Sequence, residues 1–313
     1  MPAPVSLPQL TSGPAAVIVD LVMFIDIPLT AEIRTALADE WGYAGHSQRL
    51  YGGEESAAYR VGSVVVRIGS MSRDLAEVEW CNEVAAAAAR RVPEVIAPSA
   101  LADGTTALLI GDRPITVWPY VAGSWADRHD PQQRAESARL LARLHLALVD
   151  ERPRARPRPS LWQRGLDGSP QPDLPDRSLD RWLAEFSRDA RVQPLHGDFY
   201  ARNLLAIDGH VVAVLDWDEA LIGPAEMELA SAAWEFSKSD ADLAVAHGFV
   251  DDYREAGGPA RALDDATLKQ LIRHRLRCES VAFAAAERRR VHHDSDDVDY
   301  QQVRVAAFHR LRP

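Results

Sequence analysis

Lysine is nearly missing from this chain: of 35 Lys and Arg side chains in 313 residues, only Lys238 and Lys269 are lysines. No lysine can therefore hold a phosphate or form a Schiff base anywhere in the first 237 residues. Cysteine is almost as scarce. Cys81 and Cys278 stand far apart, which excludes a disulfide framework and a cysteine-based zinc site and suits the reducing cytoplasm, where we expect the protein to work. Long apolar runs are missing too. The most apolar stretch, Ala15 to Leu29 (AAVIVDLVMFIDIPL), is short, carries Asp20 and Asp26 and has no basic flank, so it is neither a membrane span nor a signal peptide. Residues 1–29 read as an N-terminal extension. Positive charge is also lacking: the net charge of -11 argues against a nucleic-acid partner, which needs a basic face. With 47% apolar residues the chain can bury a sizeable core, and it shows no internal repeat.

What is present changes character along the chain. A helix is expected from Thr30, as N-cap, to Trp41, where Gly42 stops it. Strand-like runs follow at 57–61 and 63–68 around a turn at Gly62, then an Ala-rich helix within 72–91 that ends before Pro93. Two more strands fit 106–110 and 115–118. From Pro131, with Asp130 as N-cap and Gln133 completing a capping box, the chain reads as helix. The Pro- and Arg-rich segment 151–177 reads as a surface loop. Strands early and helices late indicate an α+β fold in two parts, residues 30–117 and 124–313, joined by a hinge at 118–123 (WPYVAG).

The chemistry concentrates in residues 195–220, LHGDFYARNLLAIDGHVVAVLDWDEA. Asn203 to Ile207 and Val211 to Leu215 flank Asp208-Gly209, the dipeptide best suited to a two-residue type I′ hairpin turn. That turn places Asn203 opposite Val214 and Ala201 opposite Asp216, so Asn203 and Asp216 fall at one end of the hairpin, roughly 5–8 Å apart by cross-strand spacing. Asp198 lies in the loop just before. Oxygen-bearing side chains converging at such a spot suit a hard cation such as Mg²⁺ shared with substrate phosphates.

The spacing H196-G-D-x-x-x-x-N203, followed by L215-D216-W217-D218, resembles the aminoglycoside phosphotransferase and choline kinase family, small-molecule relatives of protein kinases that use H-R-D-x-x-x-x-N and D-F-G for the same tasks. RLYGGEESAAYRV (49–61) resembles its nucleotide loop, VVVRIG (64–69) its third strand, LARLHLAL (141–148) its L-x-x-L-H helix, and GPAEMELA (223–230) the stretch after the metal Asp. The resemblance covers residues 45–235. It implies a two-lobed kinase-like fold, a small sheet-containing lobe and a larger mainly helical one, that transfers the γ-phosphate of ATP or GTP with Mg²⁺. By the same resemblance Asp198 accepts the acceptor's hydroxyl proton, Asn203 and Asp216 hold the metal, and Trp118, Pro119, Tyr120 and Val121 contact the base. Gly52 and Gly53 form the nucleotide loop, and Ser56 either binds phosphate or caps a turn. His196 is structural, bonding backbone near Asp216; Asp218 supports the loop, and His145 reads as a buried helix histidine.

Two positions depart from the pattern. The third-strand lysine is Arg67, as in some small-molecule members; it keeps the charge and can clamp phosphate, though the two are not interchangeable. Its acidic partner on the next helix is Glu83 or Glu79, with Glu83 preferred. Glu228 stands where the family often has Asp. The two alternative functions are a catalytically weak nucleotide-binding scaffold, which Arg67 would permit, and a phosphohydrolase built on His129-Asp130 and His292-His293-Asp294. Residues 218–300 carry 18 acidic and 10 basic side chains, among them Glu235, Asp240 and Asp251. That excess points to a cationic, amine-bearing acceptor, an aminoglycoside-like antibiotic or an amino alcohol. No membrane is implied, and the chain is expected as a monomer or homodimer.

Overall fold

The computed structural model describes residues 27–50, 56–237, 243–288 and 295–313. Gly52, Gly53, Asp240, Asp294 and the pair His292-His293 lie outside them, as do residues 1–26.

Helix α1 (Ala31–Trp41) starts where the Thr30 hydroxyl accepts the Ile33 amide at 3.3 Å and stops where Gly42 turns left-handed, at φ 74°. Its buried Ile33 and Leu37 pack on an antiparallel sheet of order β1-β2-β3-β5-β4. The strands are β1 (Ser47–Leu50), β2 (Ser56–Val61), β3 (Val64–Gly69), β4 (Ala107–Ile110) and β5 (Arg113–Pro119). In β3 the period of two is strict: Val64, Val66 and Ile68 point into this core, which leaves Val65 and Arg67 on the opposite face. Arg67 therefore cannot avoid the cleft beneath the sheet.

Helix α2 (Leu75–Ala89), capped by Asp74, lies between β3 and β4 in sequence, yet Trp80, Cys81, Val84, Ala85 and Ala88 pack into a second, larger core. That core gathers apolar faces of α3 (Pro131–Leu148), α4 (Arg177–Arg188), α5 (Ala225–Ser237), α6 (Ala244–Glu255), α7 (Asp265–Arg288) and α8 (Ser295–Arg310). Asp130 caps α3 as the sequence suggests. Gln133 departs from a capping box: its Oε1 accepts the Asp127 amide at 2.9 Å rather than the amide of the cap itself. The architecture is α+β, a small antiparallel sheet region against a helical part. Among the described residues no helix is long and apolar enough to cross a membrane.

Segment 151–177 is more than the expected surface loop. Trp80 donates its indole N–H to Arg154 O (2.7 Å), and Arg156 pairs with Glu77 (2.6 Å) and donates to Ala220 O (2.9 Å), which straps α2 to the loop after Asp216. A 3₁₀ turn, Leu161–Gln163, then carries Trp162 beneath α7. Two buried ion pairs, Arg273–Asp176 (2.6 Å) and Arg277–Asp180 (2.7 Å), hold α7 against the N-terminal turn of α4.

One consequence of this packing is pH-dependent. His274 on α7 is fully buried and donates Nε2–H to Trp162 O at 2.9 Å; burial, assisted by Arg277 and Arg275, pushes its pKa down from 6.5 to about 4. An unfolded chain takes up this proton near pH 6.5, the folded protein only near 4. Stability present above 6.5 is therefore withdrawn as the pH falls toward 4, by at most about 3 kcal/mol. Melting followed from pH 7 to 4 should show this loss, and His274→Gln should flatten it. An unchanged slope in the variant would assign it to other groups.

Candidate active site

Residues 196–220 leave and return through one pair of strands, β7 (Val192–Leu195) and β10 (Leu221–Pro224), antiparallel with Leu195 opposite Leu221. Between them stands the hairpin of β8 (Leu204–Ile207) and β9 (His210–Val214), with β6 (Ser124–Trp125) beside β8. Asp208 and Gly209 both have positive φ, 50° and 84°, as a type I′ turn requires. The register differs from the expected one. A bulge between Leu205 and Ala206 leaves Val212 unpaired and sets Leu204 opposite Val214. β9 is held from outside the hairpin: Glu94 O accepts the Val214 amide (2.8 Å), and Glu136 accepts the Val211 amide (3.0 Å). The slip places Asn203 opposite Leu215, whose amide donates to Asn203 O at 2.8 Å, one residue nearer Asp216 than simple alternation allows.

The loop before the hairpin is fixed from below. His196 is buried; its Nε2 donates to Leu215 O (2.8 Å), its Nδ1 accepts the Asp198 amide (3.2 Å), and its ring lies edge-on to Trp217 at 4.7 Å. Gly197 has φ 87°, and a Cβ there would lie 2.0 Å from Glu219 O, so only glycine fits. Glu228 on α5 accepts the amides of His196 (3.2 Å) and Gly197, and its Oε2 also meets His145 Nε2 at 2.8 Å, while His145 Nδ1 bonds the Tyr253 hydroxyl (2.8 Å). Burial alone would raise the Glu228 pKa; the bonds from His145 and Gly197 and the nearby His196 hold it below the usual carboxylate range.

Above this base, Asp198 and Asn203 are joined. Asn203 Nδ2 donates to Asp198 O (2.8 Å) and to Asp198 Oδ2 (3.0 Å), which commits the amide nitrogen and leaves Asn203 Oδ1 as an acceptor for another ligand. Asp198 Oδ1 is held by Arg275 Nη2 at 2.8 Å. Asp216 adopts φ 59°, a costly conformation for a non-glycine residue and one that persists only where its surroundings impose it. Arg67 Nη2 reaches Asp216 Oδ1 (3.2 Å), Asp218 Oδ2 (2.9 Å) and Ser56 Oγ (3.2 Å), and Arg73 meets Asp218 Oδ1 at 3.3 Å. Desolvation pulls the Arg67 pKa down, but Asp216 and Asp218 more than reverse this, so the guanidinium stays charged.

A cavity of about 310 Å³ lies between the five-stranded sheet and the β8–β9 hairpin, bordered by some of these groups. Ser56, Arg67, Asn203 and Asp216 line one part of it, and Trp118, Pro119, Tyr120 and Val121 another. Asn203 Oδ1 and the 40%-exposed Asp216 carboxylate form a hard-oxygen donor set, which fits Mg²⁺ completed by phosphate and water.

The structure does not bring every expected residue to this place. Glu83 does not meet Arg67: it is exposed on α2 and pairs with Arg154 at 3.0 Å. Glu79 points to the sheet, accepting the amides of Thr106 (2.8 Å) and Ala107 (2.7 Å) and the Thr106 hydroxyl (2.7 Å). Among the described residues, Asp216 and Asp218 are the acids that Arg67 meets. Glu235 is buried on α5, close enough to help raise the pKa values of Arg275 and Tyr300, the latter pushed up to about 12, chiefly by burial. Asp251 is exposed on α6, which packs on α3 and α5. Arg275 and Arg73 are not among the residues expected from the sequence.

The sequence pattern of the phosphotransferase enzyme family matches residues 46–264, more than two thirds of the chain. The chain belongs to that family. No curated protein matches it in sequence. Solved structures share the fold at low identity. Amicoumacin kinase hAmiN, in complex with AMP-PNP, Ca²⁺ and Ami, has a TM-score of 0.65 at 14% identity, covering 85% of this chain and 90% of its own. A microcompartment-associated aminopropanol kinase gives 0.63 at 17%, covering 89% and 93%. A choline/ethanolamine kinase family protein from Mesorhizobium loti gives 0.61 at 18%, covering 91% and 95%. The kinase-like fold read from H-G-D-x-x-x-x-N and L-D-W-D is thus the fold observed.

Arg67 now allows a quantitative expectation. A charge-assisted bond to phosphate contributes about 1.5–3 kcal/mol, so Arg67→Ala should weaken Mg-nucleotide binding roughly 10- to 100-fold, while Arg67→Lys retains part of the affinity. Titration with a non-hydrolysable nucleotide measures it. Parent-like affinity in Arg67→Ala would exclude Arg67 as a phosphate ligand.

Proposed function

We propose that this phosphotransferase moves the γ-phosphate of ATP, with GTP as the alternative donor, to a hydroxyl of a small molecule in the cytoplasm. The observation that carries the reading is the convergence of Asn203, Asp216 and Arg67 at one cleft, with Asp198 bonded to Asn203. Phosphoryl transfer asks a protein mainly for positioning and for offsetting charge on the phosphates. Asp198 orients the acceptor hydroxyl in line and takes its proton as the new O–P bond forms; the bond from the γ-phosphorus to the β–γ bridging oxygen breaks, and the nucleoside diphosphate leaves. Asn203 and Asp216 would hold Mg²⁺, which would supply positive charge to offset that of the phosphates. Arg67 reaches the phosphates from the sheet, with Ser56 beside it. Residues 118–121 receive the base, within a hinge over 118–123 between a nucleotide-binding part over 30–117 and an acceptor-holding part from 124 onward. The two separate cores support that division, although α2 packs with the second.

We further propose an amine-bearing acceptor, such as an amino alcohol or an aminoglycoside-like antibiotic. The acidic excess of residues 218–300 supports it, as does Glu235, buried beside Arg275 on the Asp198 side. The fold-sharing choline/ethanolamine kinase and aminopropanol kinase are named for acceptors of this kind. Cationic and neutral hydroxyl compounds of similar size, tested for acceptor-stimulated release of nucleoside diphosphate, decide it. Amines should be phosphorylated with a Michaelis constant that rises with ionic strength. Turnover of neutral sugars or macrolactones with amines inert would remove the cationic preference and keep the kinase reading; no nucleotide consumption with any acceptor would favour the scaffold.

A further inference from the structure

Arg275 is a buried charged side chain beside the site that neither the family motifs nor the proposed mechanism uses. It rises from the middle of α7, 8% exposed, and three of its nitrogens are engaged: Nε donates to Glu279 Oε1 (2.7 Å), Nη1 to Gly197 O (3.1 Å) and Nη2 to Asp198 Oδ1 (2.8 Å). The guanidinium carbon lies 3.4 Å from the centre of the Trp162 ring, so the plane of the group is fixed as well. Glu279 in turn is held by Arg304 of α8 at 2.9 Å, and Arg304 lies over the Tyr300 ring at 4.0 Å. A line of contacts thus runs from the C-terminal helix through Glu279 and Arg275 to the carboxylate that faces the acceptor.

Resting on the phosphotransfer reading, we infer that Arg275 is a positioning residue for Asp198: with Asn203 on the other oxygen, it fixes the plane of the carboxylate and so the lone pair offered to the acceptor hydroxyl. The two clamps differ in origin. Asn203 lies at the foot of the β8–β9 hairpin and fixes Oδ2 relative to Asp216 and the phosphates; Arg275 belongs to α7 and fixes Oδ1 relative to the wall formed by α7 and α8. Asp198 is thereby referenced to donor and acceptor sides at once. A misplacement of about 1 Å in such an arrangement is enough to slow transfer about 100-fold without touching nucleotide affinity.

The test uses the full chain with Mg-ATP, 2-aminoethanol as trial acceptor, and water as a second acceptor read as slow ATP hydrolysis. Arg275→Ala should lower kcat about 10- to 100-fold while KM for ATP stays within about twofold. Millimolar guanidinium should restore part of the rate where equal sodium chloride does not, and Arg275→Lys should keep more activity than Arg275→Ala. Arg304→Ala, one contact further out, should lower kcat by a smaller factor at an unchanged melting temperature. Arg275→Ala turning over within about twofold of the parent would overturn the inference. So would a joint loss of ATP binding and melting temperature that guanidinium does not reverse, which marks a fold role only. If Arg275→Ala fails to fold, Arg304→Ala decides: parent-like kcat overturns the inference, and a selective fall in kcat supports it. A parent that consumes neither ATP nor GTP with water, 2-aminoethanol or any acceptor of the wider screen overturns the phosphotransfer reading, and this inference with it.

Discussion

Asp198→Asn is expected to bind Mg-nucleotide much as the parent does while turnover falls about 10²- to 10⁴-fold, the usual worth of a positioned base. The substitution preserves shape and removes the charge proposed to accept the hydroxyl proton. It also creates a mismatch. Both Asp198 oxygens face donors, Arg275 Nη2 on Oδ1 and Asn203 Nδ2 on Oδ2, so the new amide nitrogen must confront one of them. A stability loss of about 1–3 kcal/mol should accompany the kinetic one. Single-turnover kinetics with a saturating acceptor separate the two effects. A rate within a few-fold of the parent, in a variant that binds nucleotide normally, would remove the base from Asp198.

The second large effect is expected at Glu228, where one buried carboxylate satisfies two loop amides and a histidine. Glu228→Ala leaves the His196 and Gly197 N–H groups and His145 Nε2 without that partner in a site closed to water. Stripping one partner from such a buried set costs about 3–5 kcal/mol, a large part of the stability of a typical domain. Glu228→Gln keeps one oxygen and should lose much less. Urea denaturation measures the difference. Turnover should fall with stability in Glu228→Ala, because the loop that carries Asp198 hangs from these bonds; a variant as stable as the parent would mean that the loop is held from its other end.

Asp198, Asn203 and Asp216 could be read together from the sequence because what joins them is local. A dipeptide suited to positive φ, two apolar runs and a fixed spacing bring Asn203 to Asp216 with no help from distant chain. The misplaced register shows where locality ends. Glu94 and Glu136, more than 70 residues upstream, hold the outer edge of β9, and alternation within the hairpin carries no trace of them. Glu83 was misread for a related reason. Glu77, Glu79 and Glu83 all lie on α2 but meet Arg156, the Thr106 backbone and Arg154 respectively, and helical spacing does not say which way the helix is turned. Arg275 is the clearest loss, 77 residues from its partner in a helix that looks solvated because it is rich in charge. A usable sign existed: Arg273, Arg275 and Arg277 point around too much of α7 for all of them to reach water, so some had to be buried against acids.

The bulge at Val212 also limits which chain lengths evolution or an engineer can use here. Pairing has a period of two, so deleting one residue between Ala206 and Val211 leaves two ways to close the hairpin: shift every partner beyond the gap, or absorb Val212 into a regular ladder. The first separates Asn203 from Leu215 and so from Asp216. The second keeps that pair and gives up the bond from the Val211 amide to Glu136. In a library of length variants, functional deletions should therefore cluster at the bulge and cost some stability. Insertions should survive at the Asp208-Gly209 tip, where added chain projects away from the pairing that holds Asn203 opposite Leu215.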